Sequence, residues 1–148
     1  MNELTIQSNL PSMGSADIDR VKKLESFTSK MPQIDINIEH YIHAGTYIRT
    51  ATIPKGVMIT GALIKVDTIL VVMGHVTVYI GKEFITMSGH NVLKASANRK
   101  QVFIAHEETK LSMIFATNSK TVEEAEAEFT NEVEKLTTRK TEGLLCQV

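Results

Sequence analysis

The sequence predicts a mainly β, antiparallel barrel with one helix before it and another after it, and three observations carry that prediction. Residues 34–117 fall into about nine short runs rich in Val, Ile, Thr and Tyr, separated by Gly, Pro and Asn, with no helical pattern between them. Such runs read as the strands of an antiparallel sandwich or barrel. Apolar residues return at helical spacing on both sides of this stretch. Finally, 148 residues with 43% apolar and 22% charged side chains suit one domain with a single core.

Residues 1–14 are polar and interrupted by Pro11 and Gly14, which predicts a flexible arm. A helix is expected over 15–31, opening at Ser15 with Asp17 and Asp19 in its first turn, Lys22, Lys23 and Lys30 further on, and Pro32 beyond its end. Ile18, Val21, Leu24 and Phe27 give it an apolar face to pack on the body. Within 34–117 the expected strands are Ile34 to Ile38, Thr46 to Ile53, Val57 to Ile64, Thr68 to Val72, His75 to Ile80, Glu83 to Met87, Asn91 to Lys94, Gln101 to Ala105 and Leu111 to Ala116. Turns are expected at Pro54-Lys55-Gly56, Gly81-Lys82 and Ser88-Gly89-His90-Asn91. A second helix is expected over 119–137, because Thr121 and Glu124 form a capping box and Val122, Ala125, Phe129, Val133 and Leu136 make an apolar stripe. Residues 138–148 then read as a polar tail.

Charge and cysteine content narrow the function classes. A net charge of -1 supplies no general attraction for a nucleic-acid backbone. The single cysteine, Cys146, leaves no internal disulfide framework, which fits a reducing compartment. The opening MNELTIQSNL does not read as a signal peptide, and the longest apolar run, Ile69 to Met73, is too short to span a bilayer. No nucleophile elbow, phosphate-binding glycine loop, paired-cysteine motif or HExxH sequence is present.

The stretch EHYIHAGTYIRTATIPKG, residues 39–56, holds the most suggestive side chains. His40 and His43 are three apart, and on a regular strand such residues point to opposite faces, so their spacing alone makes a poor metal motif. Read as extended chain, His43, Gly45, Tyr47 and Arg49 share one face, which could stack on a planar group and pair with an anion. The competing reading puts Tyr47 and Arg49 on the outer surface of the sheet. His106, at the end of a strand and followed by Glu107, is the best further candidate for either kind of site.

A resemblance adds to this reading. RTATIPKGVMITG and LVVMGHVTVYIGKEFITMSGHNVLKASANRKQVFIAHEE, with turn glycines at Gly56, Gly81 and Gly89, resemble the small jelly-roll barrel of the cupins. HYIHAGTYIRTATIPKG, RKQVFIAHEETKLSMIFATN and the glutamate-rich segment after them resemble a group of uncharacterised cupin-like proteins of tailed bacteriophages, over residues 34–135. The resemblance implies a cupin-like jelly roll with metal ligands on two facing strands. This chain departs from it: Gly61 to Thr68 lacks the histidine-rich stretch of that group, and Asn98, Arg99 and Lys100 stand where a second motif would place histidine. No cofactor is therefore expected, and a divalent metal would have to use His40, His43, His106 and Glu107. The expected ligand-binding set is His43, Tyr47, Arg49, Arg99, Lys100 and His106, with Arg99 and Lys100 bringing positive charge to the barrel mouth.

Three functions follow as expectations. The first is a non-enzymatic phage-type protein acting in assembly, as a virion component or an accessory binding factor. The second is a binding protein for a small, anionic, nucleotide-like molecule, and the third a metal-dependent cupin enzyme, isomerase or oxygenase. Partners would be further copies of the chain, as a dimer or higher homo-oligomer, together with other virion proteins, but neither membrane nor nucleic acid in general. Its place would be the host cytoplasm or the virion.

Overall fold

The computed structural model describes residues 9–136 and 138. Eight strands form the body: β1 (Asn9–Leu10), β2 (Asn37–His43), β3 (Thr46–Ile53), β4 (Met58–Thr60), β5 (Thr68–Tyr79), β6 (Phe84–Ala95), β7 (Val102–Ala105) and β8 (Thr109–Ala116). Helix α1 (Ser15–Thr28) precedes β2, and α2 (Val122–Phe129) with a 3-10 turn (Val133–Lys135) follows β8. The fold is the expected mainly β, cupin-like jelly-roll barrel with a helix on each flank.

The barrel is organised by one long hairpin. Where the sequence suggests four short strands, β5 and β6 are two continuous strands of 12 residues each. Gly74 and Gly89 face each other across the pair, with φ of 146° and 78°. Glycine tolerates this backbone, so the ladder bends there without breaking. A side chain at Gly74 would also collide with Thr109 Oγ1 and Glu108 O, at 2.5 and 2.7 Å from its Cβ. Before the bend, Ile69–Met73 pair with Lys110–Ile114 of β8. After it, Val76–Tyr79 pair with Val102–Ala105 of β7, which pairs in turn with β4. One strand thus passes from the layer β8-β3-β2 to the layer β7-β4, and the core fills the space between them.

Other elements differ from expectation for local reasons. Residues 1–8 of the expected arm lie outside the described residues, but Asn9 and Leu10 pair in parallel with β6, and Leu10 is buried. This is the one parallel pairing among the described strands. In α1, Val21 is buried and Ile18 and Leu24 are half-buried, whereas Phe27 is 67% exposed and leaves the expected packing face. The second helix ends at Phe129, short of the expected 137, although its capping box between Thr121 and Glu124 forms in full. Thr130 turns extended, with φ -150° and ψ 151°, and bridges to Ile64, while Lys65 N donates to Phe129 O. Pairing with the 64–65 segment takes over from helical hydrogen bonds. The expected tail, 138–148, lies outside the described residues apart from Thr138.

Candidate functional site: a buried cationic cavity

Alternation along β3 sends Tyr47, Arg49, Ala51 and Ile53 into the barrel. His43 does not share their face. Ala44 and Gly45, with φ of 54° and 67°, make a two-residue turn that leaves His43 at the end of β2, exposed and paired with Thr46. Such turns are favoured in tight hairpins because they match the strand twist, and Ala-Gly is a weak sequence signal for one. His40 takes the inward place expected of His43. It lies opposite Arg49 in the β2–β3 pairing, with Nδ1 2.8 Å from Tyr47 Oη.

Helix α2 closes this end of the interior. Its buried face carries Ala125, Glu126 and Phe129. Arg49 Nη1 donates to Glu126 Oε2 at 2.9 Å and to Tyr47 Oη at 3.3 Å. Both ion-pair partners are buried, with side chains 2% and 1% exposed. Thr138 donates to the same carboxylate oxygen. The Phe129 ring stacks on Tyr47, and Arg49 Cζ lies 5.4 Å from its centroid, a cation–π contact in an apolar setting. Burial lowers the His40 pKa and the Arg49 charge lowers it further. Burial raises that of Tyr47, with Arg49 opposing. Both are the directions that burial gives, since it disfavours the charged form of each group.

Beyond Arg49 lies a cavity of about 60 Å³, lined by Arg49, Arg99, Gln101 and apolar residues including Leu70, Phe103 and Met113. Arg99 donates to Ser96 O and Thr68 Oγ1 at 2.7 and 2.8 Å, both neutral acceptors. Burial lowers its pKa to about 10, against the pull of the Asp67 charge. Among the described residues, Arg49 Nε, Arg49 Nη2 and Gln101 Nε2 are buried without a hydrogen-bond partner. Each buried polar group left so costs about 1–3 kcal/mol, and native proteins keep few of them. Three donors of this kind on two residues that line one cavity, beside a second guanidinium, make an environment suited to an anion.

Lys100 lies elsewhere, contrary to the expectation that it would join Arg99 at a positive mouth. Arg99 and Gln101 line the cavity, while Lys100 between them reaches the other way. Its Nζ lies 3.0 Å from Gly61 O, 2.8 Å from Glu132 Oε1 and 3.0 Å from Glu25 Oε2. The other expected residues are also dispersed. His106 is exposed, with Nε2 2.7 Å from Thr77 Oγ1 and its ring 4.8 Å from that of His75, and Glu107 is exposed. Among the described residues no three His, Cys, Asp or Glu side chains gather as metal ligands, so His40, His43, His106 and Glu107 do not form one site. A larger open groove of about 530 Å³ runs between α1 and β4, past Met31, Ile34 and Met58. Arg49 and Gln101, which carry the three unpartnered donors, line the smaller cavity and not this groove.

Two site residues escape the sequence reading, and each leaves a signal. Glu126 occupies an i+4 position from Val122 on the apolar stripe, where a carboxylate is out of pattern. Gln101 alternates with Arg99, Phe103 and Ala105, the inward set of its segment.

No family model matches this chain, and no curated protein does. Solved structures similar to it include a cupin superfamily protein from Desulfitobacterium hafniense, at 12% identity over 60% of this chain and 84% of that one, with a TM-score of 0.47. KdgF from a Halomonas species is similar at 16% identity over 59% and 84% of the two chains, with a TM-score of 0.48. A cupin-2 domain containing protein from Shewanella frigidimarina is similar at 12% identity over 64% and 91%, with a TM-score of 0.43. These are likenesses of shape, and no residue role passes from them to this chain. None of the three carries the expected relation to phage proteins.

Proposed function

We propose that this chain is a binding protein for a small anion, held inside the barrel between Arg49 and Arg99. The observation that carries the reading is that Arg49 Nε, Arg49 Nη2 and Gln101 Nε2, unpartnered among the described residues, belong to two residues that line one cavity together with Arg99. Two guanidiniums border the cavity, and Glu126 is the carboxylate in direct contact with either. An anion would restore the balance of charge and accept the orphan donors, where the low surrounding dielectric strengthens both effects. The lining has no carboxylate, imidazole or thiol among the described residues to move a proton, which supports binding over catalysis.

The test is thermal unfolding of the full chain in rising concentrations of small anions. A ligand of the folded state at a hundred times its Kd stabilises by about 2.7 kcal/mol, so a saturable rise in Tm is expected. The reading fails if no small anion gives one.

A second reading, self-association, is favoured by the outer face of the β2-β3-β8-β5-β6 layer. Tyr41, Ile48, Ile114 and Ile69 stand in one row across four paired strands, next to Val71 and Val92, and Tyr41 and Val92 are more than half exposed. An apolar row of this kind suits contact with the same face of a second copy. Light scattering that finds a monomer at high concentration excludes it.

A further inference from the structure

We infer that the anion is a carboxylate, taken side-on by Arg49 and steadied by Gln101. This rests on the anion-binding reading and adds the chemical class of the ligand. One nitrogen of the Arg49 guanidinium is already used. Glu126 meets Nη1 alone, end-on, at 2.9 Å, and Tyr47 Oη shares that nitrogen at 3.3 Å. The two nitrogens left without partners among the described residues, Nε and Nη2, lie on the same side of the planar group. Their N–H bonds run parallel, the fork that matches the two oxygens of a carboxylate. A buried arginine meant only to balance Glu126 would be expected to offer that fork to Glu126 itself.

The surroundings select further. Gln101, another residue lining the cavity, carries a third unpartnered donor, Nε2, which can serve one carboxylate oxygen. Arg99 spends one N–H of each terminal nitrogen on Ser96 O and Thr68 Oγ1 and adds a second positive charge to the lining. At about 60 Å³ the cavity is small, which suits a small anion such as formate or the head of acetate. Leu70, Phe103 and Met113 offer an apolar wall to the carbon end and no donors for the extra oxygens of a tetrahedral anion.

Calorimetric titration of the full chain with sodium formate, acetate, chloride and sulfate, with ionic strength held by a bulky sulfonate, tests this. Formate and acetate are expected to bind at least ten-fold tighter than chloride or sulfate. Arg49→Lys keeps the charge and loses the fork, so it should retain chloride binding and lose that preference. Gln101→Leu, read alone if the lysine variant does not fold, should weaken formate about ten-fold and chloride much less. Equal binding of chloride or sulfate and formate by the unaltered protein overturns the carboxylate assignment and leaves the anion reading standing. No saturable binding of any of the four overturns both.

Discussion

Lys100 and Arg49 are both cations removed from water, with side chains 0% and 2% exposed, yet their surroundings differ in kind. Lys100 has an acceptor for each of its three donors: Gly61 O, Glu132 and Glu25. Those acceptors come from α1, from the segment after β4 and from the segment after α2, so one ammonium ties together stretches far apart in the chain. Lys135 completes the network by meeting both glutamates, at 3.1 and 3.6 Å. Among the described residues Arg49 has one carboxylate on one nitrogen and two bare donors, and a cavity lies beside it. Burial of charge therefore does not by itself mark a site. What separates the brace from the candidate site is whether the donors are used up within the chain.

The strongest way to break this contrast is Lys100→Met. Removing one member of a buried ion network leaves the partner carboxylates uncompensated, and a loss of about 3–5 kcal/mol is expected in urea unfolding. Anion affinity should stay within two-fold or so of the original, since the Lys100 side chain does not line the cavity; a marked loss of affinity would remove the distinction between the two cations. Next comes the paired change Arg49→Met with Glu126→Gln. Replacing a buried pair by groups without net charge is often tolerated, so stability should fall by no more than about 1–2 kcal/mol while anion-dependent stabilisation disappears. Retained anion stabilisation in this variant would show that Arg49 is a second brace.

The smallest expected effect sharpens the contrast through pH. Burial and the Arg49 charge lower the His40 pKa in the folded protein, so the unfolded chain takes up the proton first. Stability tied to His40 is then intact above its ordinary value of 6.5 and lost as pH falls below it toward the folded value. Burial alone would raise the Glu132 pKa, but hydrogen bonds from Lys100 and the Leu63 N–H, with the charges of Lys100 and Lys135, leave it lowered overall. Its contribution is intact above the ordinary value of 4.5 and is lost below that. Stability measured against pH should therefore show two windows, the upper one flattened by His40→Asn and the lower one by Glu132→Gln. A single window removed by either variant would mean that the two regions titrate as one.

Alternation in β3, the turn at Gly56, the capping box of Thr121 and Glu124, and the helix before the barrel are all legible in the sequence, because each depends on a few neighbouring residues. The breaks expected near Gly74 and Gly89 are the instructive exception. Glycine is a turn signal locally, but here two glycines meet across a ladder and turn one strand between two layers. The side chains that make the site lay in plain view, yet their grouping did not. His40 replaced His43 because of a turn at Ala44 and Gly45, Glu126 arrived from a helix 77 positions away in sequence from Arg49, and Lys100 left its neighbour Arg99 for the opposite side. By itself the sequence determined which faces are apolar and which residues carry charge. Only the tertiary structure decided which of those charges find partners, because pairing depends on distances between segments that no local pattern encodes.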